Sequence, residues 1–261
     1  MLIGVMLGIL QGVTEWLPVS SEGVVSAFYG FVLDRPLSEA VAFALWLHMG
    51  TVLSVLVVFW RTLIDIARDV ANTPKDPPPL FWYLLISTLV SVAIGFPMLL
   101  MLDDISERFG AAAMGIIGLL MFITGGLQLR RRDVGTRTRE DLSIADALVA
   151  GVAQGFAALP GLSRSGLTVA ALLTRGIERR EALVLSFLMS VPVSLGAALF
   201  ASRDTGLLTS GDAWLAMGVA AVVGLASMKA LLAVADRINF ALFVIIVGAA
   251  ILAGATFQWL T

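Results

Sequence analysis

The sequence contains no cysteine and one histidine, and only 14% of its 261 residues are charged. The missing cysteines exclude disulfide bonds, cysteine-ligated zinc and a thiolate nucleophile. The net charge of −2 offers no general attraction for nucleic acid, and we expect no nucleic-acid partner. The low charge content also argues against an ordinary soluble domain, in which about 25% of residues are charged.

Apolar residues are what the chain has in excess, at 59% of the total. A soluble fold of this length cannot bury so much apolar surface, so the composition predicts an all-α polytopic membrane protein with a single membrane domain over 1–261. The first residues lack a basic segment and a small-residue cleavage site, so we do not expect a removable signal peptide. The six tryptophans mostly fall near the ends of apolar segments, and we interpret them as interface anchors.

Six apolar segments are long enough to cross a bilayer, which takes about 17–25 helical residues. They lie near 40–60, 80–102, 112–129, 183–200, 214–234 and 240–260. Two further apolar regions, 1–33 and 144–176, are interrupted by LPVSSEG (17–23) and LPGLSRSG (159–166). Because their halves are too short to span, each region predicts a re-entrant helix-loop-helix hairpin.

The arginines predict how the chain is oriented. Segment 130–139 holds five arginines, the strongest positive-inside signal, so we expect it to be cytoplasmic. Counting spans from there, the hairpin 1–33 enters from the outside and the hairpin 144–176 from the cytoplasm. The count therefore predicts an inverted-topology repeat, with halves 1–130 and 144–261. Interrupted segments in matching positions of two inverted halves indicate a binding site near the bilayer midplane.

Glu15 lies among apolar residues of the first hairpin, where an ionised carboxylate is costly unless it is paired, metal-bound or facing water. We interpret it as a functional candidate, although a helix-closing position near the interface would also explain it. Ser20 and Ser21 follow in the loop, between Glu15 and Glu22. A serine activated by a base can attack phosphorus, but a Ser-Ser pair in a loop is more often a helix cap.

Arg164 occupies the loop of the second hairpin between Ser163 and Ser165. Small neighbours let an anion approach the backbone, and a guanidinium grips phosphate bidentately. The helix expected to resume at Gly166 to Thr168 would direct its N-terminus at the same point. These features predict a phosphate-binding cradle, whereas the alternative is an arginine that reaches out to lipid headgroups.

His48, the single histidine, lies inside the predicted span 40–60. A histidine there can hydrogen-bond to a neighbouring helix or take part in catalysis. The residues around it do not distinguish these two roles, so both stay open predictions.

Two strings, QGVTEWLPVSSEG (11–23) and PGLSRSG (160–166), resemble the motifs EGxTEFLPISSTGH and PGxSRSG of the bacitracin-resistance family of undecaprenyl-diphosphate phosphatases. The similarity continues in LHMGTVLSVLVVFW (47–60) and SFLMSVPVSLGAA (186–198) and covers essentially the whole chain. The resemblance implies a multi-pass plasma-membrane enzyme that removes the terminal phosphate of a polyprenyl diphosphate, recycling the lipid carrier of the cell envelope. It also implies six spans with two re-entrant hairpins, and Mg²⁺ or Ca²⁺ as cofactor.

Matching positions carry the family's roles to this chain. Ser21 would attack the terminal phosphorus, with Glu15 as its base or as a metal ligand. Glu15 and Glu22 are the candidate metal ligands. The implied phosphate-binding residues are Ser20, Ser163, Arg164, Ser165, Gly166 and Thr168. Partners implied are the polyprenyl diphosphate and the bilayer, and a homodimer is left open.

Three positions depart from the family motif. Gln11 stands where the family has its first glutamate, Glu22 where it has threonine, and Val24 where it has histidine. Gln11 removes a ligand for metal or proton, and Val24 removes a candidate acid or nucleophile. Two alternatives follow: a polyprenyl-phosphate transporter or flippase that keeps the cradle without hydrolysis, and an inactive structural relative that binds no prenyl diphosphate.

Overall fold

A computed structural model describes residues 2–33, 37–101, 135–159, 161–203 and 205–234, together with a few isolated positions elsewhere. The expected spans 112–129 and 240–260, and the arginines at 130–132, lie outside the described residues. Within these residues the protein is helical, which agrees with the predicted all-α class.

The described residues form long and short helices. They are α1 (Leu2–Thr14), α2 (Ser21–Leu33), α3 (Leu37–Val58), α4 (Trp60–Asn72), α5 (Pro79–Leu100), α6 (Ile144–Phe156), α7 (Arg164–Thr174), α8 (Arg179–Ala201) and α9 (Gly211–Val234). In the described part of the chain, α3, α5, α8 and α9 are long and apolar enough to cross a membrane. These four helices coincide with four of the expected spans, so the prediction of a polytopic membrane protein is confirmed.

Both interrupted regions form a helix, a loop and a second helix. In the first region Ser20 adopts a φ of +57°, a left-handed conformation that is uncommon outside glycine, and its Oγ accepts the Gly23 N–H at 3.2 Å. In the second region Ser163 Oγ accepts the Gly166 N–H at 3.1 Å. That cap starts α7 at Arg164, two residues before the expected position.

Glycines set how closely the short helices pack on the long ones. A Cβ added to Gly8 of α1 would lie 2.4 Å from the Ala216 carbonyl oxygen of α9. A Cβ added to Gly151 of α6 would lie 2.9 Å from the Ser87 carbonyl oxygen of α5. Small residues of this kind let helix backbones approach each other, so α1 is seated on α9 and α6 on α5.

Helix α3 packs against α2 of the first hairpin and against α8 and α9 of the second half, so a side chain on its inner face lies where the two halves meet. Its Gly50 sits directly on α9, where an added Cβ would be 2.2 Å from the Met217 carbonyl oxygen. This close packing fixes the position of His48, which lies half a turn earlier on the same helix.

Two tryptophans are core residues rather than interface anchors. The indole N–H of Trp16 donates to the Gly224 carbonyl at 2.7 Å, and that of Trp46 donates to the Ala213 carbonyl at 2.9 Å. Both side chains are fully buried, because each finds an acceptor on α9 for its one polar group. The expectation was wrong for these two. Exposed tryptophans among the described residues are Trp60, Trp82 and Trp214.

A buried ion-pair cluster closes the base of the second hairpin. Asp146, at the start of α6, accepts hydrogen bonds from both terminal nitrogens of Arg137, from Arg175 Nε at 2.7 Å and from Ser143 Oγ at 2.7 Å. Burial opposes ionisation, but these donors outweigh it and hold the pKa of Asp146 well below its usual range. Since Arg175 directly follows α7, the cluster ties the two ends of the hairpin together.

Candidate active site

The loops of the two hairpins meet tip to tip. Ser20 Oγ, which already caps α2, also accepts the backbone N–H of Gly161 at 3.0 Å. Ser165 Oγ donates to the Leu17 carbonyl at 2.9 Å. The helix-cap interpretation of Ser20 is therefore consistent with its geometry, and the same oxygen also joins the two halves of the chain.

Glu15 is the centre of the meeting point. Its carboxylate is buried, and its Oε2 accepts hydrogen bonds from Ser21 Oγ at 2.7 Å and from Gln11 Nε2 at 2.8 Å. His48 Nε2 lies 3.1 Å from the same oxygen. The other oxygen, Oε1, pairs with Nη2 of Arg164. These donors offset the desolvation cost of burying an ionised carboxylate, the cost that made Glu15 a functional candidate in the sequence.

Arg164 points inward. Nη2 binds Glu15, and Nη1 donates to the Ser186 carbonyl of α8 at 3.2 Å. Only 15% of its side chain is exposed, so in this structure it does not reach out to headgroups. Ser186 is a contact that the sequence did not reveal, because a backbone carbonyl has no residue signature.

His48 lies between two carboxylates. Its Nδ1 faces the Ala44 carbonyl at 2.8 Å, and a carbonyl can only accept, so Nδ1 carries a proton. Its Nε2 faces Glu15 Oε2 and is 3.8 Å from Glu22 Oε1. An imidazolium, which donates from both nitrogens, satisfies this arrangement. The sequence left open whether His48 hydrogen-bonds to a neighbouring helix or takes part in catalysis. The structure places its side chain in the site, beside Glu15.

Most of the expected site residues line one small cavity. Its walls are formed by Glu15, Ser20, Ser21, Glu22, His48, Ala157, Leu162, Ser163, Arg164 and Ser165. Gly166 and Thr168 are not among them. The Gly166 N–H is taken by the Ser163 cap, and Thr168 Oγ1 hydrogen-bonds to the Arg164 carbonyl at 2.8 Å. These two residues hold the start of α7 in place behind the cavity.

A larger cavity of about 330 Å³ adjoins the first and shares Glu22, His48 and Arg164 with it. It runs between α5, α6 and α8 to Arg203, just beyond the end of α8. Its walls are mainly apolar and include Val92, Phe96, Leu99, Val193 and Phe200. The charged centre is therefore continuous with an apolar path.

The carboxylates of the site meet the needs of a divalent cation only in part. Among the described residues, no three His, Asp or Glu side chains are grouped to hold a metal ion. Both oxygens of Glu15 are engaged by its donors, whereas Glu22 is 17% exposed and faces the cavity. The Glu22 carboxylate is thus open to a cation whose other ligands come from water or substrate.

By fold and site, this is a polytopic helical membrane protein with a buried serine, carboxylate and arginine centre. The family described as bacitracin resistance protein BacA matches residues 4–253. An undecaprenyl-diphosphatase of Methanococcoides burtonii is 38% identical over 255 residues, 94% of each chain. One of Methanopyrus kandleri is 38% identical over 253 residues, covering 94% of this chain and 92% of the relative. An undecaprenyl-diphosphatase of Desulforudis audaxviator is 35% identical, covering 93% and 92%. The chain belongs to the BacA family.

Proposed function

We propose that the protein is an integral membrane phosphatase that hydrolyses a polyprenyl diphosphate of the undecaprenyl type to the monophosphate and inorganic phosphate. The observation that carries the proposal is the contact between Ser21 Oγ and Glu15 Oε2 at 2.7 Å, with Arg164 on the other carboxylate oxygen. A hydroxyl within reach of a base, beside a cation that can bind phosphate, is the arrangement of an activated nucleophile. The names of the relatives supply the substrate class.

In the first step Ser21 Oγ attacks the terminal phosphorus while Glu15 takes its proton. The new bond from Oγ to phosphorus forms as the bond to the bridging oxygen breaks, and the prenyl monophosphate leaves with that electron pair. Arg164 binds the equatorial oxygens, where negative charge is concentrated in the transition state. The protonated Glu15 then passes its proton to the departing phosphate.

In the second step a water molecule attacks the phosphoserine. Glu15 takes a proton from the water and returns it to Ser21 Oγ, and inorganic phosphate is released. Gln11 and His48 hold the carboxylate in one orientation through both steps, since each places a donor on Oε2.

A divalent cation fits this site only in part. Glu22 would hold Mg²⁺ or Ca²⁺ together with oxygens of the substrate, and the cation would neutralise charge on the diphosphate. Glu15, the other expected ligand, has its oxygens occupied by Ser21, Gln11, His48 and Arg164. The identity of the cation and the need for one stay predictions.

The apolar cavity next to the site offers space for the first part of the prenyl chain. The apolar cavity that shares Glu22, His48 and Arg164 with the site is lined by α5, α6 and α8. A diphosphate held at Arg164 would direct its first isoprene units into this space. Apolar pockets with a few polar groups at one end are typical of sites for such ligands.

The proposal includes the architecture expected from the sequence: six spans, re-entrant hairpins and two inverted halves. Packing supports it, since α1 of the first hairpin is seated on α9 of the second half, and α6 of the second hairpin is seated on α5 of the first half. This reciprocal arrangement is what an inverted repeat produces. Location in the plasma membrane belongs to the same proposal, and a homodimer stays an expectation.

Phosphate release from farnesyl and longer prenyl diphosphates tests the function. We expect Ser21→Ala, Glu15→Gln and Arg164→Ala each to lower the rate by at least about 100-fold. Ser26→Ala is the matched control, since Ser26 is a buried serine of α2 whose hydroxyl has no hydrogen-bond partner among the described residues and does not line the cavity. Its rate should equal that of the wild type.

The same assay in reconstituted vesicles separates hydrolysis from transport. A transporter has no need for a base on Ser21, so the contact between Ser21 and Glu15 favours hydrolysis over transport. If labelled prenyl phosphate crosses the vesicle membrane intact and the wild type releases no phosphate with any divalent cation, the phosphatase proposal is wrong.

A further inference from the structure

The two oxygens of Glu15 have different partners. Oε2 receives Ser21, Gln11 and His48, all from the first half of the chain. Oε1 pairs with Arg164, which comes from the second half. Breaking the Arg164 contact would leave the three contacts on Oε2 in place, so the two sides of the carboxylate can act independently.

Arg164 cannot keep its present partners and also grip a phosphate with both terminal nitrogens along the same edge. Nη2 is on Glu15, and Nη1 is on the Ser186 carbonyl. Bidentate recognition of a phosphate uses two parallel N–H donors of the guanidinium fork. A diphosphate that enters the cavity therefore competes with the Glu15 carboxylate for the arginine.

We propose that Glu15 is an internal anion that occupies Arg164 until the diphosphate displaces it. This inference rests on the proposed function, because the displacing ligand is the prenyl diphosphate. Without substrate, Glu15 Oε1 neutralises the guanidinium of Arg164. Burying that guanidinium without an anion would carry a high energetic cost. With substrate, Arg164 transfers to phosphate, and Glu15 stays on Ser21 through Oε2.

The departure at position 11 is consistent with this exchange. Gln11 places a neutral amide donor 2.8 Å from Glu15 Oε2. A carboxylate at the same place would repel Glu15, or would require a proton or a cation between them. Because position 11 is glutamine, Glu15 is the one carboxylate of this pair of positions that competes for Arg164. Gln11 holds Glu15 through Oε2, the oxygen that also receives Ser21.

The exchange predicts a gain in affinity that depends on Arg164. Glu15→Gln keeps the size of the side chain and an acceptor for Ser21 but removes the competing charge. The variant should bind a non-hydrolysable analogue, farnesyl methylenediphosphonate, about tenfold more tightly than wild type, a factor within the usual range of linked equilibria. A ligand-holding role for Glu15 predicts weaker binding, and a purely structural role predicts no change.

Calorimetry on the full-length protein in nanodiscs measures these affinities. Arg164→Ala and Glu15→Gln/Arg164→Ala complete a double-mutant cycle, and the gain from Glu15→Gln should vanish when Arg164 is absent. Ser26→Ala again serves as the control with wild-type affinity. If Glu15→Gln binds the analogue as wild type does, or less tightly, the exchange is wrong.

A second measurement needs no folded Glu15 variant. In ligand-difference infrared spectra of wild type, a carboxylate stretch should shift when the analogue binds, since Glu15 loses its guanidinium partner, and the shift should persist in Glu22→Gln. No shift in wild type overturns the inference. A wild-type protein that binds the analogue but fails these tests refutes the exchange alone, whereas one that neither binds the analogue nor releases phosphate from prenyl diphosphates refutes the phosphatase as well.

Discussion

At the scale of single residues, the position of His48 changes how the departures from the family motif are interpreted. Val24 replaces the motif histidine, yet an imidazole still reaches the site, supplied by α3 instead of by the hairpin. Its Nε2 faces Glu15 Oε2, the oxygen that also receives Ser21. We therefore expect His48 to act as a positioning residue for the proposed base.

His48→Ala should lower kcat for phosphate release by about 10- to 100-fold, because the carboxylate loses a donor that orients it. KM should change less, since Arg164 and not His48 carries the proposed phosphate contact. His48→Gln should recover part of kcat, because its amide nitrogen can donate from nearly the same place. Equal kcat for wild type and His48→Ala would contradict the positioning role.

Site residues could be predicted from the sequence where their immediate neighbours mark them. They could not be predicted where the rotation of a helix decides which side chains face the site. Glu15 and Arg164 stood out because charges in apolar segments need partners, and their two loops were expected to meet. His48 remained undecided, because only the packing of α3 determines which way it points. The Ser186 carbonyl and the Gly161 amide were unpredictable, since backbone groups are the same at every position.

At the scale of helices, the hairpin breaks were predictable because Pro, Gly and Ser cannot continue an apolar helix without a cost. The start of α7 was expected two residues too late, because the cap at Ser163 was not recognised. Burial of Trp16 was missed for another reason. Its acceptor, the Gly224 carbonyl, lies 208 residues further along the chain, and no local pattern reports that contact.

Helix seating gives a prediction with a control in the same pair of helices. Gly8→Ala should destabilise the protein by about 1–3 kcal/mol, because the new methyl would press on the Ala216 carbonyl of α9. Gly218→Ala on α9 adds the same methyl at a point where no described residue lies within 4 Å, and it should be neutral or stabilising. Thermal unfolding in detergent compares them. Equal unfolding temperatures would show that the close approach does not matter.

The base of the second hairpin gives a pH-dependent prediction. Asp146→Asn should cost about 3–5 kcal/mol near neutral pH, since it leaves Arg137 and Arg175 without their shared anion. The folded-state pKa of Asp146 is lowered, so its contribution is present above its unfolded-state pKa of about 3.9 and is lost as pH falls below that value. The stability gap between wild type and variant should therefore narrow in acid.

Asp65→Asn is the control for that experiment. Asp65 forms an exposed pair with Arg68 at 3.8 Å, and such pairs contribute about 0–1 kcal/mol. Chemical unfolding at neutral pH and at about pH 3 measures both variants. A gap for Asp146→Asn that is the same at both pH values would exclude ionisation of Asp146 as its source.

At the scale of the whole molecule, the class of protein was predictable because composition and apolar segment length follow directly from the bilayer as solvent. Four of the expected spans coincide with long helices, and the reciprocal seating of α1 on α9 and α6 on α5 supports the inverted halves. The meeting of the two loops through Ser20 and Gly161 joins residues 141 positions apart, and the repeat alone pointed to it.

The contact between Trp16 and Gly224 also has a consequence for biogenesis. The proposed nucleophile Ser21 is synthesised before α9, but Trp16, next to the proposed base Glu15, finds its acceptor only after α9 has entered the membrane. A partly synthesised chain therefore carries Ser21 and Glu15 without the support that seats them. We therefore expect a chain that ends before α9 to release no phosphate from a prenyl diphosphate.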